Sequence, residues 1–176
     1  MGRVRRRVLV ALLVAAAAGL HAAEGLLPPL PLPGARIGLA NVATLLALRI
    51  LGFGSGVAVS VLRSLLGGLI GGGFMGPGFW MGFAGATLSA AAMGLTIRLL
   101  PAQASNVAVS VIGATVHSLA QLGVAAILIR HPALLAYLPV LLGASMLTGV
   151  FIGLVCDRLS PVLARVMPLW RSPDGN

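Results

Sequence analysis

The chain has 176 residues, 59% of them hydrophobic and only 9% charged, where soluble domains carry about 25% charged residues. With a mean hydropathy of +1.06, a water-soluble globular fold is excluded and an all-α membrane protein is expected. The net charge of +9 arises from twelve arginines against Glu24, Asp157 and Asp174; these arginines punctuate apolar runs instead of forming one basic face, so no nucleic-acid partner is expected.

A spanning helix needs roughly 17 to 25 mostly apolar residues, and six runs approach that length: 8–27, 37–53, 56–72, 79–100, 105–129 and 133–156. Residues 1–7, with Arg3, Arg5, Arg6 and Arg7, form a basic lead-in to the first run. Pro28, Pro29, Pro31 and Pro33, followed by Gly34, cannot continue a helix and predict a stiff, extended connection. The second and third runs are short and contain Arg49 and Arg63, so each alone is a marginal span. Gly52-Phe53-Gly54-Ser55-Gly56 between them reads as a tight turn, which predicts a helical hairpin held by its neighbours as much as by lipid.

Further along, Gly71, Gly72 and Gly73 with Gly76-Pro77-Gly78 mark the next connection, Pro101 opens another and Pro132 closes the fifth run. Pro139 should kink the sixth helix or delay its start. The expected organisation is therefore a basic N-terminus (1–7), a six-helix transmembrane domain (8–157) and a short tail (158–176). An alternative treats residues 1–23 as a secretory signal, since a basic start, an apolar core and the small residues Ala22 and Ala23 fit that pattern. The apolar run continues to Leu27, which favours a retained helix.

Orientation follows from the arginines. Under six spans, nine of the twelve fall on the side of the N-terminus, Arg36 and Arg130 on the other, and Arg63 within the third span. Both termini are thus expected in the cytoplasm of a multi-pass cell-membrane protein. Small residues spaced four apart let membrane helices approach closely; Ala11 and Ala15, Ala18 and Ala22, Gly67 and Gly71, and Gly149 and Gly153 are such pairs. They serve packing within the bundle or docking of another membrane protein. The single cysteine, Cys156, supports no disulfide framework and reads as a small buried hydrophobe.

Polar groups inside a span are costly and mark candidate sites. Three sets stand out: Asn41 with Thr44, Arg63 with Ser64, and His117 with Gln121. Asn41 and Thr44 are i, i+3 and His117 and Gln121 are i, i+4, so each pair shares a helix face. By depth, Asn41, Gln121, Arg63 and His117 fall between the outer surface and mid-membrane. An unpaired buried charge is expensive, so Arg63 must meet Glu24, water, backbone carbonyls or an anionic ligand; alternatively these groups tie helices together. Apolar walls around one arginine predict a largely apolar small-molecule substrate bearing an anionic or carbonyl group.

No acidic pair suited to acid–base work, aspartate-rich magnesium motif, phosphate-binding loop or Ser-His-Asp set is present, and His21, His117 and His131 are too scattered for a metal site. No cofactor, no metal and no independent enzymatic activity are expected.

The stretches Gly38-Leu39-Ala40-Asn41-Val42-Ala43-Thr44, Leu62-Arg63-Ser64-Leu65-Leu66-Gly67, Gly113-Ala114-Thr115-Val116-His117-Ser118-Leu119-Ala120-Gln121 and Leu147-Thr148-Gly149 resemble the Gx transporter family. That family is also labelled heptaprenyl diphosphate synthase component I, and it is similar to the substrate-binding S components of energy-coupling factor transporters. The resemblance covers roughly residues 20–155. It implies six helices around an outward-facing pocket, with the proline-rich connection over that pocket. It also implies that Ala11 and Ala15 face a transmembrane coupling subunit, with ATP hydrolysis on separate subunits. The second family label implies instead a non-catalytic membrane subunit associated with a prenyl diphosphate synthase. Membrane lipid is a partner on either reading.

The arginine asymmetry predicts that reporter fusions after Arg98 and after the C-terminus report cytoplasm, while a fusion at Arg130 reports the outside. A cytoplasmic signal at Arg130 would overturn the orientation.

Overall fold

The computed structural model describes residues 3–26, 38–100, 104–130 and 132–166. The proline-rich connection at 28–34, with Arg36, Pro101, His131 and Arg171, lies outside these. Among the described residues six helices come in order: α1 (Arg3–Leu26), α2 (Ala40–Leu51), α3 (Phe53–Ile70), α4 (Pro77–Leu99), α5 (Asn106–Ile129) and α6 (Leu138–Val166), with a short 3-10 segment at Pro132–Tyr137 before α6. Among the described residues the fold is all helical, and α3, α4, α5 and α6 are long and apolar enough to cross a membrane.

The other two helices depart from a simple span. α1 has 24 residues but opens with four arginines, so its apolar part begins only after Arg7. α2 has only 12 residues; at about 1.5 Å per residue it is about 18 Å long, short of the about 30 Å hydrocarbon core. The run at 37–53 is therefore not one continuous helix. Instead α2 is the hub: its residues from Ala40 to Leu48 are all buried, and it touches α1, α3, α4 and α6. A helix enclosed by protein need not match the thickness of the bilayer.

Local chemistry explains several boundaries. The turn between α2 and α3 contracts to Gly52 alone, at φ +84°, a backbone conformation that a side chain would strain. Phe53, Gly54, Ser55 and Gly56, expected in that turn, already belong to α3. Leu138 starts α6, placing Pro139 in the first turn, where a missing N–H has no intrahelical partner to lose. At its other end α6 runs through Pro161 to Val166, beyond the expected limit of the sixth span. Ser105 caps α5 by accepting the Ala108 N–H at 3.1 Å.

Lipid offers no hydrophobic drive between helices, so association rests on close packing and interhelical hydrogen bonds. Gly149 and Gly153 provide the first: a Cβ there would lie 2.7 Å from Val111 Cα and 2.4 Å from Val107 Cα. These small residues thus let α6 lie directly against the α5 backbone. An apolar core of Leu45, Leu48, Met93, Val109, Ile152 and Cys156 fills the space around α2, with Cys156 a free, fully buried thiol. Polar ties gather at the arginine-rich end. Arg49 donates through Nε to Asn106 Oδ1 at 2.9 Å and through Nη2 to the Ala104 carbonyl. Asn106 in turn donates to Asp157 at 2.7 Å, so α2, α5 and α6 are linked there. Arg6 fastens α1 by donating to Ser55 Oγ at 2.9 Å.

A Gly153→Leu variant must separate α5 from α6, and overpacking typically costs about 1–3 kcal/mol; its unfolding temperature should fall clearly. Gly143→Ala, where an added Cβ meets nothing within 4 Å, should match wild type or exceed it, because alanine favours the helix by up to about 1 kcal/mol.

Candidate functional site

Consecutive helices alternate direction, so the C-terminal ends of α1, α3 and α5 meet the N-terminal ends of α2, α4 and α6 at one end of the bundle. There they enclose a cavity of ≈ 740 Å³ lined, among others, by His21, Glu24, Asn41, Arg63, His117 and Gln121. It lies at the end away from Arg3, Arg5, Arg6 and Arg7.

Arg63 on α3 is the central group, only 6% exposed. Its Nη2 donates to Asn41 Oδ1 at 2.5 Å and its Nε to Thr44 Oγ1 at 3.2 Å. The i, i+3 pair on α2 therefore acts as a rail along one edge of the guanidinium. The two roles differ: Asn41 reaches the cavity wall, whereas Thr44 is fully buried behind it. Thr44 thus contacts Arg63 without lining the cavity. A guanidinium carries five N–H donors, and these two bonds leave others for the cavity side.

Glu24 sits in the same cavity wall. Its carboxylate accepts the Leu39 backbone N–H at the start of α2, where helix-end amides favour negative charge, and it acts electrostatically on Arg63. Among the described residues, the single carboxylate near this end thus both anchors the entrance of α2 and offsets the buried cation.

His117 and Gln121 come from α5, and glycine on α4 lets them approach: a Cβ at Gly85 would lie 3.0 Å from the His117 ring and 3.1 Å from Gln121 Cγ. The Gln121 amide has no hydrogen-bond partner among the described residues, although the side chain lines the cavity. On the opposite side His21 of α1 rests on α3, with its ring 2.8 Å from where a Gly67 Cβ would be. The Ser118 and Ser145 hydroxyls, 2.5 Å apart, join α5 to α6 along the wall. Phe79 and Phe83 supply an apolar, aromatic stretch, their rings stacked at 5.6 Å.

Asn41, Arg63, His117 and Gln121, singled out in the sequence by depth and polarity, thus share one cavity. Contributions from His21, Ser118 and the two phenylalanines are not evident from sequence. Their polarity or aromaticity is visible there, but the rotation of each helix that aims them inward is not. Among the described residues no group of three His, Cys, Asp or Glu side chains could hold a metal ion. The arrangement can present a guanidinium, an amide and imidazoles to a small molecule within apolar walls, a combination suited to binding.

Ala11 and Ala15 lie elsewhere. Both are exposed on α1, in a shallow groove against α3 nearer the arginine-rich end. Ala17 and Ala18 on the same helix are buried against the bundle.

A family model described as heptaprenyl diphosphate synthase component I matches residues 13–159. No curated protein and no solved structure matches the chain.

Proposed function

The chain belongs to the heptaprenyl diphosphate synthase component I family, and on that premise we propose that it is a membrane-embedded transporter or S-component-like subunit. It captures a small, largely apolar molecule through an anionic or carbonyl group. One observation carries this reading: a nearly buried guanidinium, held along one edge by Asn41 and Thr44, faces a ≈ 740 Å³ cavity shared with His117 and Gln121. Pockets that enclose drug-sized ligands measure about 300–1,000 Å³, so the cavity suits a compact molecule. Charge-assisted bonds from Arg63 give orientation, and the apolar walls give affinity.

Arginine asymmetry supports an outward-facing cavity and cytoplasmic termini. In this reading Ala11 and Ala15 form the face on which a transmembrane coupling subunit, served by separate ATPases, would dock; their exposure is consistent with it. The family's name speaks of a synthase component. A non-catalytic role of that kind fits the described residues, where Glu24 lines the cavity while Asp157 joins the arginine-rich end. Carboxylates so separated cannot share one magnesium ion.

Gln121→Ala gives the cleanest test, since that amide makes no hydrogen bond among the described residues. The empty variant should unfold at the wild-type temperature but bind the co-purified small molecule more weakly. Arg63→Ala should weaken binding further, roughly 10- to 150-fold, because a hydrogen bond to a charged group contributes about 1.5–3 kcal/mol. Arg63→Lys should recover only part of that, lacking the planar fork. Unchanged affinity in both Arg63 variants would refute the proposal.

A further inference from the structure

The groove between α1 and α3 combines two features that no helix contact requires together. One end carries Arg3, Arg6 and Arg7, and its floor is apolar, formed by Val10, Val14, Leu62 and Leu66; it measures ≈ 800 Å³. Arg6 is anchored on Ser55 and the Leu51 carbonyl, which fixes one guanidinium at the mouth. Arg3 and Arg7 are exposed. The carboxylates of the described residues are elsewhere, Glu24 bound to Leu39 at the cavity end and Asp157 to Asn106 on α5. Among the described residues, no carboxylate therefore neutralises this triad.

Length points the same way. From Arg3 to Ala15 α1 rises about 18 Å at about 1.5 Å per residue, close to the about 15 Å of one leaflet, half of an about 30 Å hydrocarbon core. A guanidinium cluster at the interface above an apolar channel one leaflet deep has the shape and charge to receive an anionic amphiphile.

We propose that the α1–α3 groove is a binding site for one anionic phospholipid, its phosphate between Arg3, Arg6 and Arg7 and one acyl chain along Val10, Val14, Leu62 and Leu66. This site is separate from the Arg63 cavity and does not depend on what that cavity binds. The groove also includes Ala11 and Ala15, so a coupling helix that docked there would displace the acyl chain. Lipid release would then accompany assembly.

The test uses the full chain in nanodiscs of equal phosphatidylglycerol and phosphatidylcholine, extracted into detergent and examined by native mass spectrometry for retained lipid. Wild type should keep one phosphatidylglycerol and no phosphatidylcholine. Arg3→Gln combined with Arg7→Gln should reduce retention roughly tenfold or more; Arg6 is left in place because it fastens α1. Ala15→Phe should reduce it similarly by filling the channel with every arginine intact. Arg98→Gln, an exposed arginine at the same end but outside the groove, should change nothing.

The proposal fails if phosphatidylcholine is held equally, or if Arg98→Gln matches the loss in the double variant. It fails also if Ala15→Phe or the double variant retains lipid as wild type does.

Discussion

A guanidinium inside an apolar bundle must be solvated by the protein, and this constraint organises the structure. Removing an ion from water costs several kcal/mol even after relaxation, so Arg63 cannot sit against hydrocarbon. Its solvation comes from α2, through Asn41 and Thr44, with Glu24 supplying opposing charge from the end of α1. A helix that carries such acceptors is poorly suited to lipid contact. That α2 is short, enclosed and in contact with four other helices follows from the work it does for Arg63.

Close packing elsewhere serves the same end. Gly149 and Gly153 draw α6 against α5, and Gly85 lets the α5 side chains reach past α4. The helices part around the cavity, where His21, His117 and Gln121 converge on the space in front of Arg63. At the opposite end, Arg49, Asn106 and Asp157 tie α2, α5 and α6 into a hydrogen-bonded group. The bundle is thus fastened at the arginine-rich end and hollow at the other.

Much of this is legible from residue type and helical period. Polar side chains at matching depths in separate apolar runs single out Asn41, Arg63, His117 and Gln121, because isolated polar groups in a membrane span have few places to go. Two features are not legible. The length of α2 depends on its neighbours and not on its own hydropathy, so the run at 37–53 looks like a short span. Which side chains face the cavity depends on helix rotation: His21 meets Gly67 and Glu24 meets Leu39 across sequence gaps that periodicity does not relate. Thr44 shows the converse case, sharing a face with Asn41 yet ending behind the cavity wall, since Arg63 lies across both. The five-residue turn expected after α2 shrinks because a single glycine with positive φ suffices to reverse the chain.

If the space in front of Arg63 is a site for a compact anionic or carbonyl-bearing molecule, that molecule should travel with the protein. The most direct measurement is native mass spectrometry of the purified wild-type chain beside Arg63→Ala, both released from the same membranes, with small molecules identified after gentle activation. One drug-sized species should be bound to wild type at unit stoichiometry and absent from the variant. Wild type that carries no such molecule, or a variant that carries the same one equally, would contradict the assignment.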